Sequence, residues 1–129
     1  MIKASSIDHL NIDVRSFKQS CAFYRTYFNF HEYERCNGPT GDLSCIIIGN
    51  AEIKLCLYQV PQFELGRGLN HFGFHIEDFD SAYEALQNAG VTVLYGGIVD
   101  WGHSRSIYIE DPNGYEIELS EFLGGNIEK

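Results

Sequence analysis

The sequence predicts an α+β fold in which two tandem β-α-β-β-β modules form a cupped mixed β-sheet with helices on the outside. Three observations carry this. Residues 7–14 and 70–76 alternate between apolar and polar side chains, the period of a strand with one buried face. Each stretch is followed by apolar residues at helical spacing. Each of those is followed by short alternating segments separated by turn residues. A length of 129 residues suits one domain with a real core. Module one is expected over about residues 5–60, a linker over about 60–69, and module two over about 70–123.

In residues 7–14, Leu10, Ile12 and Val14 share one face, and His9, Asn11 and Asp13 share the other. Ser16 is a good N-cap for a helix whose apolar stripe is Phe17, Cys21, Tyr24 and Phe28. Residues 37–41 read as a turn. Strands are expected near 44–48 and 52–58, joined at Gly49-Asn50, a hairpin signal. In the second half Phe72, Phe74 and Ile76 share one face, and His71, Gly73 and His75 the other. Asp78 or Asp80 can cap a short helix through Tyr83, Leu86 and Ala89, with Gly90 as its stop. Strands near 91–95, 106–110 and 115–121 complete the set. Asp111-Pro112-Asn113-Gly114 turns the chain between the last two. The tail from Gly124 is expected to fray.

Eighteen acidic residues against nine basic ones give a net charge of −9. That argues against nucleic acid or an anionic membrane as partner, since either needs a cationic face. It suits a metal ion or a cationic ligand. No apolar run is long enough to span a bilayer, and the N-terminal residues lack a signal-peptide core. A cytoplasmic location is therefore expected. Cys21, Cys36, Cys45 and Cys56 show no CxxC spacing, so they are expected to be free thiols.

The period of two also sorts the strands' polar residues. With Ile107, Ile109, Ile117 and Leu119 taken by the helix side, Ser106, Tyr108, Glu110, Glu116 and Glu118 face the other way. By the same rule Glu52, Lys54, Cys56 and Tyr58 face away from Ile53, Leu55 and Leu57. His9, His71 and His75 join that face. Two imidazoles and one carboxylate make a reasonable ligand set for Zn²⁺, Fe²⁺, Mn²⁺, Co²⁺ or Ni²⁺. Taken singly, each is more often a polar strand residue than a ligand. Position alone does not select them.

Several segments resemble the vicinal-oxygen-chelate superfamily of glyoxalase, fosfomycin-resistance, extradiol dioxygenase and bleomycin-resistance proteins. They are Ile7-Asp8-His9-Leu10-Asn11-Ile12, the run SCAFYRTYFNF at residues 20–30, Leu69-Asn70-His71-Phe72-Gly73-Phe74, and Asp111-Pro112-Asn113-Gly114-Tyr115-Glu116-Ile117-Glu118. The last block is the most specific, though not for one activity. The resemblance implies that His9, His71 and Glu118 are the ligands of one divalent metal per site. Glu118 lies 47 residues after His71, and the same step from His9 reaches Cys56. Glyoxalase I carries a Glu at the corresponding place, so Cys56 is a departure from it, and its bland reading is a small buried filler.

The resemblance further implies a small substrate that chelates the metal through two neighbouring oxygens. Lyase or isomerase, thiol transferase and ring-cleaving dioxygenase chemistry all fit that scheme. Tyr108, His75 or Glu52 would move the proton. His103, Trp101, Arg105 and Cys56 would touch substrate, although alternation points Arg105 with Ile107. His103 stands closer to Tyr108 than the dioxygenase pattern requires. The competing reading is a metal-free protein of the bleomycin-resistance kind that binds a cationic small molecule. Relatives of this length imply a homodimer with shared active sites, His9 of one chain lying beside His71 and Glu118 of the other, or an unswapped equivalent.

Overall fold

The order β-α-β-β-β runs twice along the chain in the computed structural model, which describes residues 1, 3, 7, 9–37, 40–65, 69, 71–100 and 104–121. The first set is β1 (Leu10–Val14), α1 (Phe17–Phe28), β2 (His31–Asn37), β3 (Leu43–Gly49) and β4 (Lys54–Gln59). The second is β5 (Phe72–His75), α2 (Phe79–Asn88), β6 (Val99–Asp100), β7 (Arg105–Glu110) and β8 (Glu116–Ser120). They form two compact units, Met1–Gly66 and Arg67–Lys129. Each has its own four-stranded mixed sheet, ordered β1-β4-β3-β2 and β5-β8-β7-β6. In both, the last strand is clasped between the first, which runs parallel to it, and the third, which runs antiparallel.

In the first unit Ser16 caps α1 by accepting a hydrogen bond from the Gln19 amide at 3.2 Å. Asn29 ends the helix in a left-handed turn. Of the expected stripe, Tyr24 is fully buried and Phe17, Cys21 and Phe28 are half-buried. Tyr24 stacks on Phe30 at 6.0 Å. Ile12, Val14, Ile46, Ile48, Leu55 and Leu57 fill the core beside it. In the second unit Asp78 caps α2 through the Ser81 amide, and Gly90 follows the helix with φ +70°. Phe72, Phe74, Phe79, Leu86, Ile107, Ile109, Ile117 and Leu119 form that core.

Four expectations are corrected. Of the three strands expected after α1, the first, β2, has no position in the sequence because it is an edge strand whose side chains are almost all exposed, so no alternation marks it. The strand expected at 91–95 does not form. Only Val93 bridges to Ile109, because Tyr95, Gly96 and Gly97 take positive φ and turn the chain, and the strand comes later as β6. Glu52 lies in the β3–β4 turn rather than on the strand. There Asn50 Oδ1 accepts hydrogen bonds from the Glu52 and Ile53 amides at 2.9 and 2.8 Å. A Cβ on Gly49 would meet the Ile53 carbonyl oxygen at 1.9 Å, which fixes glycine at that corner. Finally, Cys36 and Cys45 stand opposite each other in the β2–β3 ladder, 4.9 Å apart at Cα, and are joined as a disulfide. Only Cys21 and Cys56 are free thiols.

Trp101, His103 and the tail from Gly124 lie outside the described residues. Among the described residues, no helix is long and apolar enough to cross a membrane.

Candidate functional site

In the second unit the core dictates where the polar groups go. Ile117 and Leu119 are buried under α2's side of the sheet, so Glu116, Glu118 and Ser120 take the opposite face. The ladder sets Gly73 on one side of Glu118 and Tyr108 on the other. His71 enters just before β5. Its Nε2 lies 3.1 Å from Glu118 Oε2, and its Nδ1 lies 3.6 Å from Glu116 Oε2. Ser106 Oγ donates to Glu118 Oε1 at 2.6 Å. Tyr108 meets the His71 ring edge-on, with centroids 5.9 Å apart. Tyr95 packs edge-on against Tyr108 at 5.2 Å, and its hydroxyl donates to Glu116 Oε1. The hydrogen bond to that carboxylate holds the phenolic proton and so pushes the Tyr95 phenol's pKa up.

The donor set fits a divalent ion. Ligands about 2.1 Å from one metal and at right angles to each other stand about 3 Å apart, close to the observed spacing of Nε2 and Oε2. A Cβ on Gly73 would make only ordinary contacts with Glu118, 3.4 Å from its carbonyl oxygen and 4.0 Å from Oε2. Within either unit, among the described residues, no three His, Cys, Asp or Glu side chains form a ready metal cluster. His71 and Glu118 are two adjacent side chains of donor type.

The first unit repeats the geometry with different chemistry. Cys56 stands between Asn11 and Ile47 as Glu118 stands between Gly73 and Tyr108. The step of 47 residues is thus a step between equivalent ladder positions. His9 and Cys56 line a cavity of about 320 Å³ with Tyr33, Glu34, Ile47 and Lys54. Cys56 is buried, and the negative charge of its thiolate, with a hydrogen bond between the two groups, pushes the Tyr58 phenol's pKa up.

Of the residues expected to act, His71, Glu118 and Tyr108 come together in the second unit, and His9 and Cys56 in the first. Glu52 sits in its exposed turn. His75 opens onto a separate cleft with Glu77, Asp78 and Glu121. Arg105 lies on the helix side, over the Phe79 ring at 4.5 Å. It is held there by Asp80 at 3.0 Å and Glu121 at 2.7 Å. These two ion pairs tie α2 to the end of β8. Ser106 and Glu116 were legible as residues of this face but carried no assigned role. Tyr95 carried no signal, because a left-handed turn rather than a strand delivers it.

The comparisons with known proteins agree with this architecture. A sequence model of the glyoxalase/bleomycin resistance protein/dioxygenase superfamily matches residues 6–119. The chain belongs to that superfamily. A probable lactoylglutathione lyase from Synechocystis sp. (strain ATCC 27184 / PCC 6803 / Kazusa) is 27% identical over 119 residues, 86% of this chain and 91% of that one. The metallothiol transferase FosB of Staphylococcus epidermidis is 29% identical over 121 residues, 92% and 82% of the two chains. Among solved structures, a lactoylglutathione lyase from Agrobacterium tumefaciens matches with TM-score 0.75 at 21% identity, over 98% and 100% of the chains. The fosfomycin resistance protein FosX from Listeria monocytogenes, solved with Mn(II) and sulfate, matches with TM-score 0.72 at 24% identity, over 93% and 96%. These superfamily members share the α+β fold of two mixed sheets.

Proposed function

We propose that this superfamily member is a divalent-metal enzyme acting on a small substrate that chelates through neighbouring oxygens, with glyoxalase-like or thiol-transferase-like chemistry. The observation that carries this is the approach of His71 Nε2 to Glu118 Oε2 at 3.1 Å. His71 and Glu118 would hold the ion, with His9 as third donor; Zn, Fe, Mn, Co and Ni all suit such a set. When bound, the ion supplies a Lewis acid and open positions for two substrate oxygens.

The chain's own residues do the rest. The Ser106 hydroxyl occupies Glu118 Oε1 and so leaves Oε2 turned toward His71. Tyr108 lies edge-on beside the imidazole, and its phenol would give or take a proton at the substrate. Cys56 at the position equivalent to Glu118 favours the thiol-transferase-like version, because the resemblance gives glyoxalase I a Glu there. A homodimer with shared sites belongs to the same proposal. So does a cytoplasmic location, against which the Cys36–Cys45 bond is the feature to check, since a reducing compartment opens disulfides.

The test is elemental analysis of the purified protein, then assays with fosfomycin plus a thiol and with the hemithioacetal of a 2-oxoaldehyde. The expected result is stoichiometric metal, lost in His71→Ala, with thiol-dependent turnover of one substrate. Metal-free protein that binds a cationic drug tightly would overturn the proposal in favour of a bleomycin-resistance-type binder.

A further inference from the structure

We infer that the groove between α1 and the β2–β3 edge of the first unit is a second binding site, for a small organic carboxylate with an apolar body. It stands apart from the metal reading. The ladder sets Arg35 opposite Ile46 and Glu32 opposite Ile48, and the two isoleucines belong to the core under α1. Cys56 is paired with Ile47, one residue out of step, and so faces the other way with the cavity it shares with His9. The groove and that cavity therefore open on opposite faces of the first sheet. The groove measures about 490 Å³, a size that holds a small ligand.

Its floor is apolar and its rim is cationic. Cys21 and Ala22 are small, so α1 leaves space beside Ile46 and Leu43 that a longer side chain would fill. Ile46 is buried and Leu43 is exposed, so the floor reaches water at one end. Lys18, Arg25 and Arg35 line the groove, three of the nine basic residues in a chain of net charge −9. Among the described residues Glu32 is the only carboxylate lining it. Arg35 grips that carboxylate with both Nε and Nη2, which leaves Lys18 and Arg25. Neither is hydrogen-bonded through its side chain or within salt-bridge distance of a carboxylate among the described residues. Arg25 stands in the last turn of α1, where the helix dipole favours a cation, but Lys18 stands in the first turn, where the dipole opposes one. Helix stability therefore does not account for Lys18. Burial and the Glu32 charge push the Cys21 thiol's pKa up, and the Arg25 and Arg35 charges oppose them, so all three charges reach one point on the groove wall. An anion over that point is drawn by Lys18 and Arg25, and an apolar body attached to it covers Ile46 and Leu43.

The test titrates octanoate into the purified protein at low salt by calorimetry, with octanol and octyltrimethylammonium as controls of the same chain length. Octanoate should bind best. Lys18→Gln and Arg25→Gln should each weaken it about 2–5-fold, and together about 10-fold. Ala22→Phe, which fills the groove and leaves its charges, should weaken it too. Methyl NMR should show Leu43 and Ile46 shifting with octanoate while Ile47, on the other face, stays put. His71→Ala should bind octanoate as wild type does, so a failure of the metal reading leaves this measurement intact. The inference is overturned if wild type takes up no octanoate at millimolar concentration, if octanol binds equally well, or if the double variant binds undiminished. Binding lost in His71→Ala would put the carboxylate at the imidazole and overturn it as well. So would a dimer that comes apart in the double variant without any octanoate binding, which would give the groove to a second copy of the chain.

Discussion

The two units share one ladder and differ in what they hang on it. In each, the last strand lies between a parallel first strand and an antiparallel third strand. At the equivalent central position the second unit places Glu118 and the first places Cys56. Tyr108 in one answers to Ile47 in the other, and Gly73 to Asn11. The second unit gathers two carboxylates, an imidazole, a hydroxyl and two phenols on one face, joined by hydrogen bonds and ring contacts. The first sets an imidazole and a thiol in a cavity with one carboxylate and one amine. The difference teaches that the repeat fixes positions, while the residue at each position decides whether it does chemistry.

The largest expected effect tests that asymmetry. Glu118→Gln should weaken metal binding more than about 100-fold, above the range for outer-layer partners, whereas Cys56→Ser should change it only a few-fold. Metal titration of both variants checks this. Equal losses would mean that the two ladder positions serve the site alike.

Next in size is a test of how evenly the units are packed. Leu55→Ala and Ile117→Ala each remove a fully buried side chain from the equivalent strand of its unit. Each should cost about 2–5 kcal/mol in denaturant unfolding. A cost under about 1 kcal/mol for either would show that its core collapses around the loss.

The turns come next. Asp111 is buried and accepts from the amides of Asn113 and Tyr115 at 2.8 and 3.0 Å and from the Asn113 side chain at 3.0 Å. Asn50 does a similar job at the more exposed β3–β4 turn. Asp111→Ala should cost about 1–3 kcal/mol and Asn50→Ala about 1 kcal/mol, since buried orphaned amides cost more than wet ones. Thermal melts of the two variants rank them, and the reverse order would refute the comparison.

The smallest effect is a pH dependence. Arg105's hydrogen bond holds the Glu121 pKa below its ordinary value of 4.5, and Arg35 does the same for Glu32. A lowered carboxylate pKa adds stability that is complete above about pH 4.5 and is lost as pH falls through the lowered value. Arg35 and Glu32 are neighbours on one edge strand, whereas Arg105 joins β7, α2 and the end of β8. Arg105→Ala should therefore flatten the acid limb of a stability–pH curve more than Arg35→Ala does. Identical curves would show both pairs to be screened surface contacts.

The sequence by itself determined the elements that announce themselves locally. Alternation placed β1, β5, β7 and β8. Ser16, Asp78 and Gly90 placed the helix ends, and Asp111-Pro112-Asn113-Gly114 placed the last turn. It also determined which face each strand residue takes, so His71, Glu118 and Tyr108 were readable as neighbours on one face. Tertiary structure decided what has no local period. An exposed edge strand such as β2 buries nothing and leaves no pattern. The pairing of Cys36 with Cys45 is set by register across a ladder rather than by spacing in the chain. Arg105's commitment to Asp80 and Glu121, and Tyr95's reach to Glu116, depend on a helix and a left-handed turn arriving from elsewhere. Periodicity records which way a side chain points, and only the folded chain records what it meets there.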